Sequence, residues 1–208
     1  MARIDDEGAL RRIYGQANGR SVDKQLDRLD AHCRRFIALS PFVLIATADA
    51  TGATDVSPRG DTPGFVAATE RELLIPDRPG NNRLDSLCNI LANGQVGLLF
   101  LIPGVDETLR VNGRAAIHDD ADLAARFAVA GKVPRTVLKV EVEEAYLHCA
   151  KAFMRSRLWD PDAQLERSAL PTMGEMLRDQ IAAKKGSGSP AEAESQEAMV
   201  ARYRGILY

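Results

Sequence analysis

Apolar positions along this chain follow two rhythms. Over the first forty residues the spacing is helical: from Ser21 onward, Leu26, Leu29, Cys33, Phe36 and Ile37 fall on one face. Ser21 is a fitting N-cap and Pro41 a stop, so the spacing predicts a helical segment over 1–40. The rhythm then shortens to that of strands. Residues 42–48 form an apolar run closed by the turn cluster Asp49-Ala50-Thr51-Gly52, and 54–57 returns as its hairpin partner. Further strands are predicted at 64–68, 72–75, 95–102, 107–118 and 136–147. In the last of these, Val137, Leu138, Val140 and Val142 alternate in part with Lys139, Glu141 and Glu143, as a half-exposed strand does.

Six or more short antiparallel strands joined by turns point to a sandwich or barrel rather than to βαβ units. Two short helices interrupt them, at 82–92 and 120–129, the second opened by Asp119 or Asp120 as N-cap. The tail changes character again. Residues 172–184 and 191–203 read as helices, and Gly186-Ser187-Gly188-Ser189-Pro190 between them as a flexible linker. The chain thus divides into a helical segment at 1–40, a β domain at 41–165 and a helical extension at 166–208. The fold class is mainly β with flanking helices.

A length of 208 residues suits one such domain with additions. The formal net charge of -2 gives no electrostatic reason to expect a nucleic-acid partner. The longest apolar stretches, 42–48 and 96–103, are too short to span a bilayer, so no membrane partner is expected. The acidic start Met1-Ala2-Arg3-Ile4-Asp5-Asp6-Glu7 lacks the apolar stretch of a signal peptide, which makes the cytoplasm the expected location. Cys33, Cys88 and Cys149 are far apart and form no C-x-x-C pair; buried, reduced thiols are the expectation. His32, His118 and His148 are scattered without metal-ligand spacing, so no metal site is expected.

Four stretches carry chemistry. In Ser57-Pro58-Arg59-Gly60-Asp61 an arginine at a strand end either offers its planar donor fork to a phosphate or sits as a surface residue in a turn. In Ile75-Pro76-Asp77-Arg78-Pro79-Gly80-Asn81-Asn82-Arg83 a strand runs through a Pro/Gly loop into the helix predicted at 82–92. Free N–H groups and the positive dipole end make such a helix start an anion site. Arg83 in its first turn opposes that dipole unless an anion is bound. In 103–115, Thr108, Arg110 and Asn112 share one strand face, facing either a heterocycle or water. The stretch 148–161 holds the only tryptophan, Trp159, near Lys151, Arg155 and Arg157, and either stacks on a flat ligand or seals a barrel end. No G-x-G-x-x-G, G-x-x-x-x-G-K-[ST] or G-x-S-x-G occurs, and no acid–base dyad is marked. An enzyme built this way leaves the chemistry to a cofactor.

Taken in order, 55–65 (DVSPRGDTPGF), 74–89 (LIPDRPGNNRLDSLCN), 96–115 (VGLLFLIPGVDETLRVNGRA) and 148–161 (HCAKAFMRSRLWDP) resemble the pyridoxamine 5'-phosphate oxidase superfamily, in its FMN-binding flavoprotein branch. The resemblance covers about residues 35–165. It implies a six-stranded antiparallel split β-barrel, a homodimer, and FMN sites at the subunit interface built from both chains. Carried onto this sequence, it places Arg59 near the flavin phosphate and Ile75 and Pro76 beside the ring. Asn82 or Arg83 then belongs to the phosphate loop, with Ser86 a turn further. Thr108 and Arg110 meet the flavin from the partner subunit, and Lys151, Arg155 and Trp159 fit the branch's last motif. The implied activity is an FMN-dependent oxidoreductase using a small-molecule substrate or electron donor. A flavin binder without turnover, and a barrel that takes haem or a deazaflavin, are the alternatives. The Arg-x-His element of the oxidase proper has no counterpart, since no histidine follows Arg155-Ser156-Arg157, which tells against oxidation of pyridoxamine phosphate.

Overall fold

The computed structural model describes residues 3–17, 19–185 and 193–208. Its centre is one antiparallel sheet of seven strands: β1 (Phe42–Ala48), β2 (Thr54–Gly60), β3 (Ala67–Ala68), β4 (Glu72–Pro76), β5 (Gln95–Leu101), β6 (Thr108–His118) and β7 (Val137–His148). They lie in the order β2-β1-β5-β6-β7-β4-β3. This is the mainly antiparallel, helix-flanked architecture of a split barrel, left open, with β2 and β3 as edges. All seven strand runs read from the sequence join this sheet, one more than the six that the resemblance implies, and the 64–68 run pairs only at Ala67 and Ala68, as a two-residue strand on β4. Pro58 lies within β2, where an edge position excuses its missing N–H.

The longest strands, β6 and β7, pair along their whole length with one irregularity between Asn112 and Gly113. There the register passes from Asn112 opposite Glu144 to Gly113 opposite Val142, so Glu143 is the extra residue of a bulge. The bulge resets the alternation of β7: Val140 and Val142 face inward before it, Ala145 after it. Gly113 is needed here, because a Cβ on it would stand 2.0 Å from the Glu141 carbonyl oxygen.

The helical rhythm of 1–40 breaks into three helices, α1 (Glu7–Tyr14), α2 (Gly19–Asp23) and α3 (Ala31–Leu39). Ser21 is not the N-cap of one long helix, since it lies inside α2. Between α2 and α3 the chain leaves the helical conformation. Leu26 exchanges backbone hydrogen bonds with Ala145 beyond the bulge, and the Leu29 N–H donates to the Glu70 carbonyl. Asp30 then restarts the helix by accepting from the Cys33 N–H at 2.7 Å. Cys33 and Ile37 of α3 join Val43, Ile45, Leu73, Ile75, Leu98, Phe100, Leu109, Val111 and Val140 in one continuous core. Burial, helped by the Asp30 carboxylate, pushes the Cys33 thiol up to about 11. Cys88 and Cys149 are exposed, so the expectation of buried thiols holds for Cys33 alone. They sit on a helix's outer side and just past β7, where no described residue buries them.

Later helices are α4 (Asp85–Asn93), α5 (Ala121–Ala125), α6 (Lys151–Ser156), α7 (Met173–Lys185) and α8 (Gln196–Gly205). Asp120 caps α5 through the Leu123 N–H, but the helix is shorter than its expected 120–129. Gly174 lets α7 approach its neighbour, since a Cβ there would lie 2.1 Å from the Glu194 carbonyl oxygen. The expected linker at 186–190, and the start of the helix expected from 191, lie outside the described residues. Among the described residues no helix is long and apolar enough to cross a membrane.

Candidate functional site

In an antiparallel pair, residues directly opposite one another share a face. Asp55, Ser57 and Arg59 of β2 stand opposite Thr47, Ile45 and Val43 of β1, whose side chains are buried. The polar half of β2 therefore continues the inner face of the barrel beyond its apolar zone. Helix α4 lies across this edge. On one side of it, Ser86 donates to Asp55 at 2.5 Å and Asn89 to the Thr47 hydroxyl at 3.0 Å, while Asn93 reaches the Ala48 carbonyl. Positions 86, 89 and 93 share one helical face, so three side-chain bonds clip α4 to β1 and β2. Ile90, on the same side, enters the core.

Between β4 and α4 the chain makes a loop over 77–84. Asn82 and Leu84 adopt left-handed backbone, with φ of 57° and 62°. For leucine this conformation is costly, on the order of 1–3 kcal/mol. Leu84 is also the residue before α4, and no side chain caps that helix. Helix α4 thus begins three residues later than expected. Arg83 precedes it rather than occupying its first turn, and pairs with Asp85 at 2.8 Å. The Asp85 hydrogen bond and charge raise the pKa of the Arg83 guanidinium, with a smaller contribution from Asp55.

β2, the 77–84 loop, the start of α4 and the last turn of α8 enclose a cleft of about 960 Å³. Four arginines, Arg59, Arg78, Arg83 and Arg202, and three aspartates, Asp55, Asp77 and Asp85, line it. Most of these arginines are already engaged. Arg59 pairs with Asp77 at 2.5 Å, both side chains about one-fifth exposed (21% and 19%). Arg78 donates to Asp61 at 2.7 Å and to the Phe127 carbonyl at 2.7 Å. Arg202 is held by Glu194. One donor is left over. Arg59 Nε is buried without a hydrogen-bond partner, and so is the hydroxyl of Thr136, whose carbonyl accepts from the Asp77 N–H. Among the described residues, these two orphaned buried side-chain atoms both flank Asp77.

Asp61 is the best-connected acid of the cluster. Its burial works to raise the carboxyl, but hydrogen bonds from the Tyr208 hydroxyl, the Thr62 N–H and Arg78 outweigh that and hold it below the ordinary carboxylate range. Tyr208 donates to Asp61 at 2.6 Å, and that bond raises the phenol above its usual value. The Arg78 guanidinium lies over the Tyr208 ring, 5.5 Å from its centroid.

The expected site residues fall into two groups. Arg59, Pro76, Asn82, Arg83 and Ser86 line the cleft, and Ile75 lies directly behind Pro76 with its side chain in the core. Thr108, Arg110, Lys151, Arg155 and Trp159 do not reach the cleft within one chain. They gather where β6 begins, β7 ends and α6 follows. Thr108 is buried opposite His148, and Arg110 lies opposite Tyr146 with its guanidinium 5.6 Å from that ring centroid. Trp159 packs on Phe153 and donates to the Val105 carbonyl at 2.9 Å. Asp61, Arg78 and Tyr208 were not expected. Asp61 and Arg78 lie inside the quoted motifs, but their pairing spans 17 positions and Tyr208 lies 147 positions from Asp61. No local spacing records either distance.

The model for the family "Pyridoxamine 5'-phosphate oxidase" matches residues 29–149, more than half of the chain. No curated protein matches at a significant level. Among solved structures, a HupZ protein from Group A Streptococcus is 17% identical with a TM-score of 0.48, the match covering 58% of this chain and 99% of that one. General Stress Protein 26 from Bacillus anthracis is 15% identical with a TM-score of 0.42, over 56% of this chain and 93% of that one. The haem storage protein HutZ from Vibrio cholerae is 16% identical with a TM-score of 0.41, over 58% and 94%. Scores of this size carry no argument by themselves. The match over 29–149, which spans the whole sheet and the cleft's β2, loop and α4, decides the matter: the chain belongs to the pyridoxamine 5'-phosphate oxidase family.

Proposed function

We propose that this protein is a homodimeric FMN-binding flavoprotein that works as an FMN-dependent oxidoreductase on a small substrate. The observation that carries the reading is Arg59: an arginine on the inner face of an edge strand, with a buried Nε that no described residue satisfies, lining the same cleft as a helix start that no side chain caps. A buried, unpaired polar group is costly, and a phosphate oxygen would relieve that cost. The cleft volume is ample for a mononucleotide. FMN, when bound, supplies hydride and electron transfer.

The chain's own residues then have simple tasks. Arg59 and Arg83 hold the phosphate, and Asp77 and Asp85 keep those guanidinium groups aimed at it. Ser86, fixed by Asp55, anchors the helix whose first turn faces the anion. Pro76, lacking an N–H, gives a smooth wall at the strand end. Thr108, Arg110, Lys151, Arg155 and Trp159 serve the partner's cleft, which is why they do not meet the first group within one chain. Arg59→Glu or Arg83→Glu is expected to weaken FMN binding, at least about tenfold for Arg59, while the dimer persists. Unchanged affinity in both, measured by quenching of flavin fluorescence, overturns the assignment. Stopped-flow reduction of bound FMN by NADH or NADPH then separates an enzyme from a passive carrier.

A further inference from the structure

We propose that residues 202–208 form a lid over the cleft, latched by Tyr208 on the Asp61–Arg78 pair. The inference rests on the flavin reading only for the identity of what the lid encloses.

The segment comes from far along the chain, yet Arg202, Tyr203, Ile206 and Leu207 line the same cleft as Arg59 and Arg83. Tyr208 fastens it. The phenol donates to Asp61, the ring lies under Arg78, and Lys132 donates to the main-chain oxygen of Tyr208 at 2.6 Å. The receptor for this latch has bonds of its own: Asp61 accepts from the Thr62 N–H and from Arg78, and Arg78 donates a second bond to the Phe127 carbonyl.

The segment itself is held otherwise. Tyr203, Ile206 and Leu207 are 42%, 56% and 59% exposed, so little apolar burial keeps it down. Upstream, Met199 is buried, which pins the middle of α8. A stretch with one buried anchor, few buried apolar contacts and a polar fastening at its far end opens at low cost, as covers over binding sites do. Releasing Tyr208 would uncover Arg78 and the outer wall of the cleft without disturbing the sheet.

The test uses the full chain with Tyr208→Phe and Tyr208→Ala. FMN release is followed by stopped-flow recovery of flavin fluorescence, and amide hydrogen exchange is followed over 199–208 in the ligand-free protein. Removing one hydrogen bond should speed FMN release on the order of two- to tenfold. Alanine should exceed phenylalanine and should also hasten exchange over 203–208, with exchange in β1 and β6 unchanged. Release rates equal to the parent in both variants overturn the lid. If the parent protein binds no FMN, the flavin reading fails by itself and exchange decides the latch: protection at 203–208 that survives Tyr208→Ala overturns it, and protection that is lost supports it.

Discussion

Arg59 shows how much of the site depends on register rather than on residue type. Opposite Val43 in the β1–β2 ladder, its side chain turns to the inner face; one residue of slip would send it to water. Its neighbour Gly60 and its partner Asp77 are both within the stretches that the sequence marks, so the arginine was legible. Its orphaned Nε was not, because the environment of that one atom depends on Asp77, just past β4, and Thr136, just before β7, meeting beside β2. Gly113 makes the same point for stability. Only the pairing of β6 with β7 brings it against the Glu141 carbonyl. Gly113→Ala is therefore expected to destabilise the protein by on the order of 2 kcal/mol or more, read as a lower urea midpoint with an unchanged slope. A midpoint equal to the parent's would show that the bulge yields at no cost.

At the level of elements, strand positions followed directly from periodicity, since β1, β5, β6 and β7 each put a β-branched or aliphatic set into the core. The helices were less legible. A helical rhythm from Leu26 to Ile37 exists, but the first part is spent on a bridge to Ala145, because the bulged strand offers backbone partners that a continuous helix would leave unpaired. Asp30 decides where α3 begins, and Asp30→Ala is expected to cost about 1 kcal/mol of stability. The bond from the Cys33 N–H holds the Asp30 carboxyl below its ordinary value, against a smaller opposing effect of burial. A depressed folded value means stabilisation that is complete above about pH 4, the unfolded range, and is lost as the pH falls through the lower folded value. The difference between parent and Asp30→Ala in thermal melts should therefore be constant at neutral pH and shrink in acid. A difference that stays the same down to acid would remove the cap from this account. Helix α4 began later than its sequence implied because Asn82 and Leu84 take up left-handed backbone, which no pattern of apolar residues announces.

The described residues form an open barrel in which the two groups of candidate site residues lie apart: Arg59, Pro76, Asn82, Arg83 and Ser86 around the cleft, and Thr108, Arg110, Lys151, Arg155 and Trp159 about the β6–β7–α6 corner. The stretches that carry them were legible, and so was their kinship. That they separate within one chain was not, since separation is a property of the folded sheet. Two copies would reunite them. Co-expression of Arg59→Glu and Arg110→Glu chains tests this directly. If each site takes Arg59 from one chain and Arg110 from the other, one of the two sites in a mixed dimer is intact, and about half the flavin capacity returns, consistent with contributions from both partners at a two-fold interface. No recovery in isolated mixed dimers would place both arginines in a single-chain site.

Flavin binding in the cleft is tested most directly by the visible spectrum of the purified protein, before and after FMN addition and gel filtration. The predicted result is a yellow protein with paired near-ultraviolet and blue bands, retaining one FMN per chain and losing it in Arg59→Glu. A Soret band, or a protein that stays colourless after incubation with FMN, would contradict it.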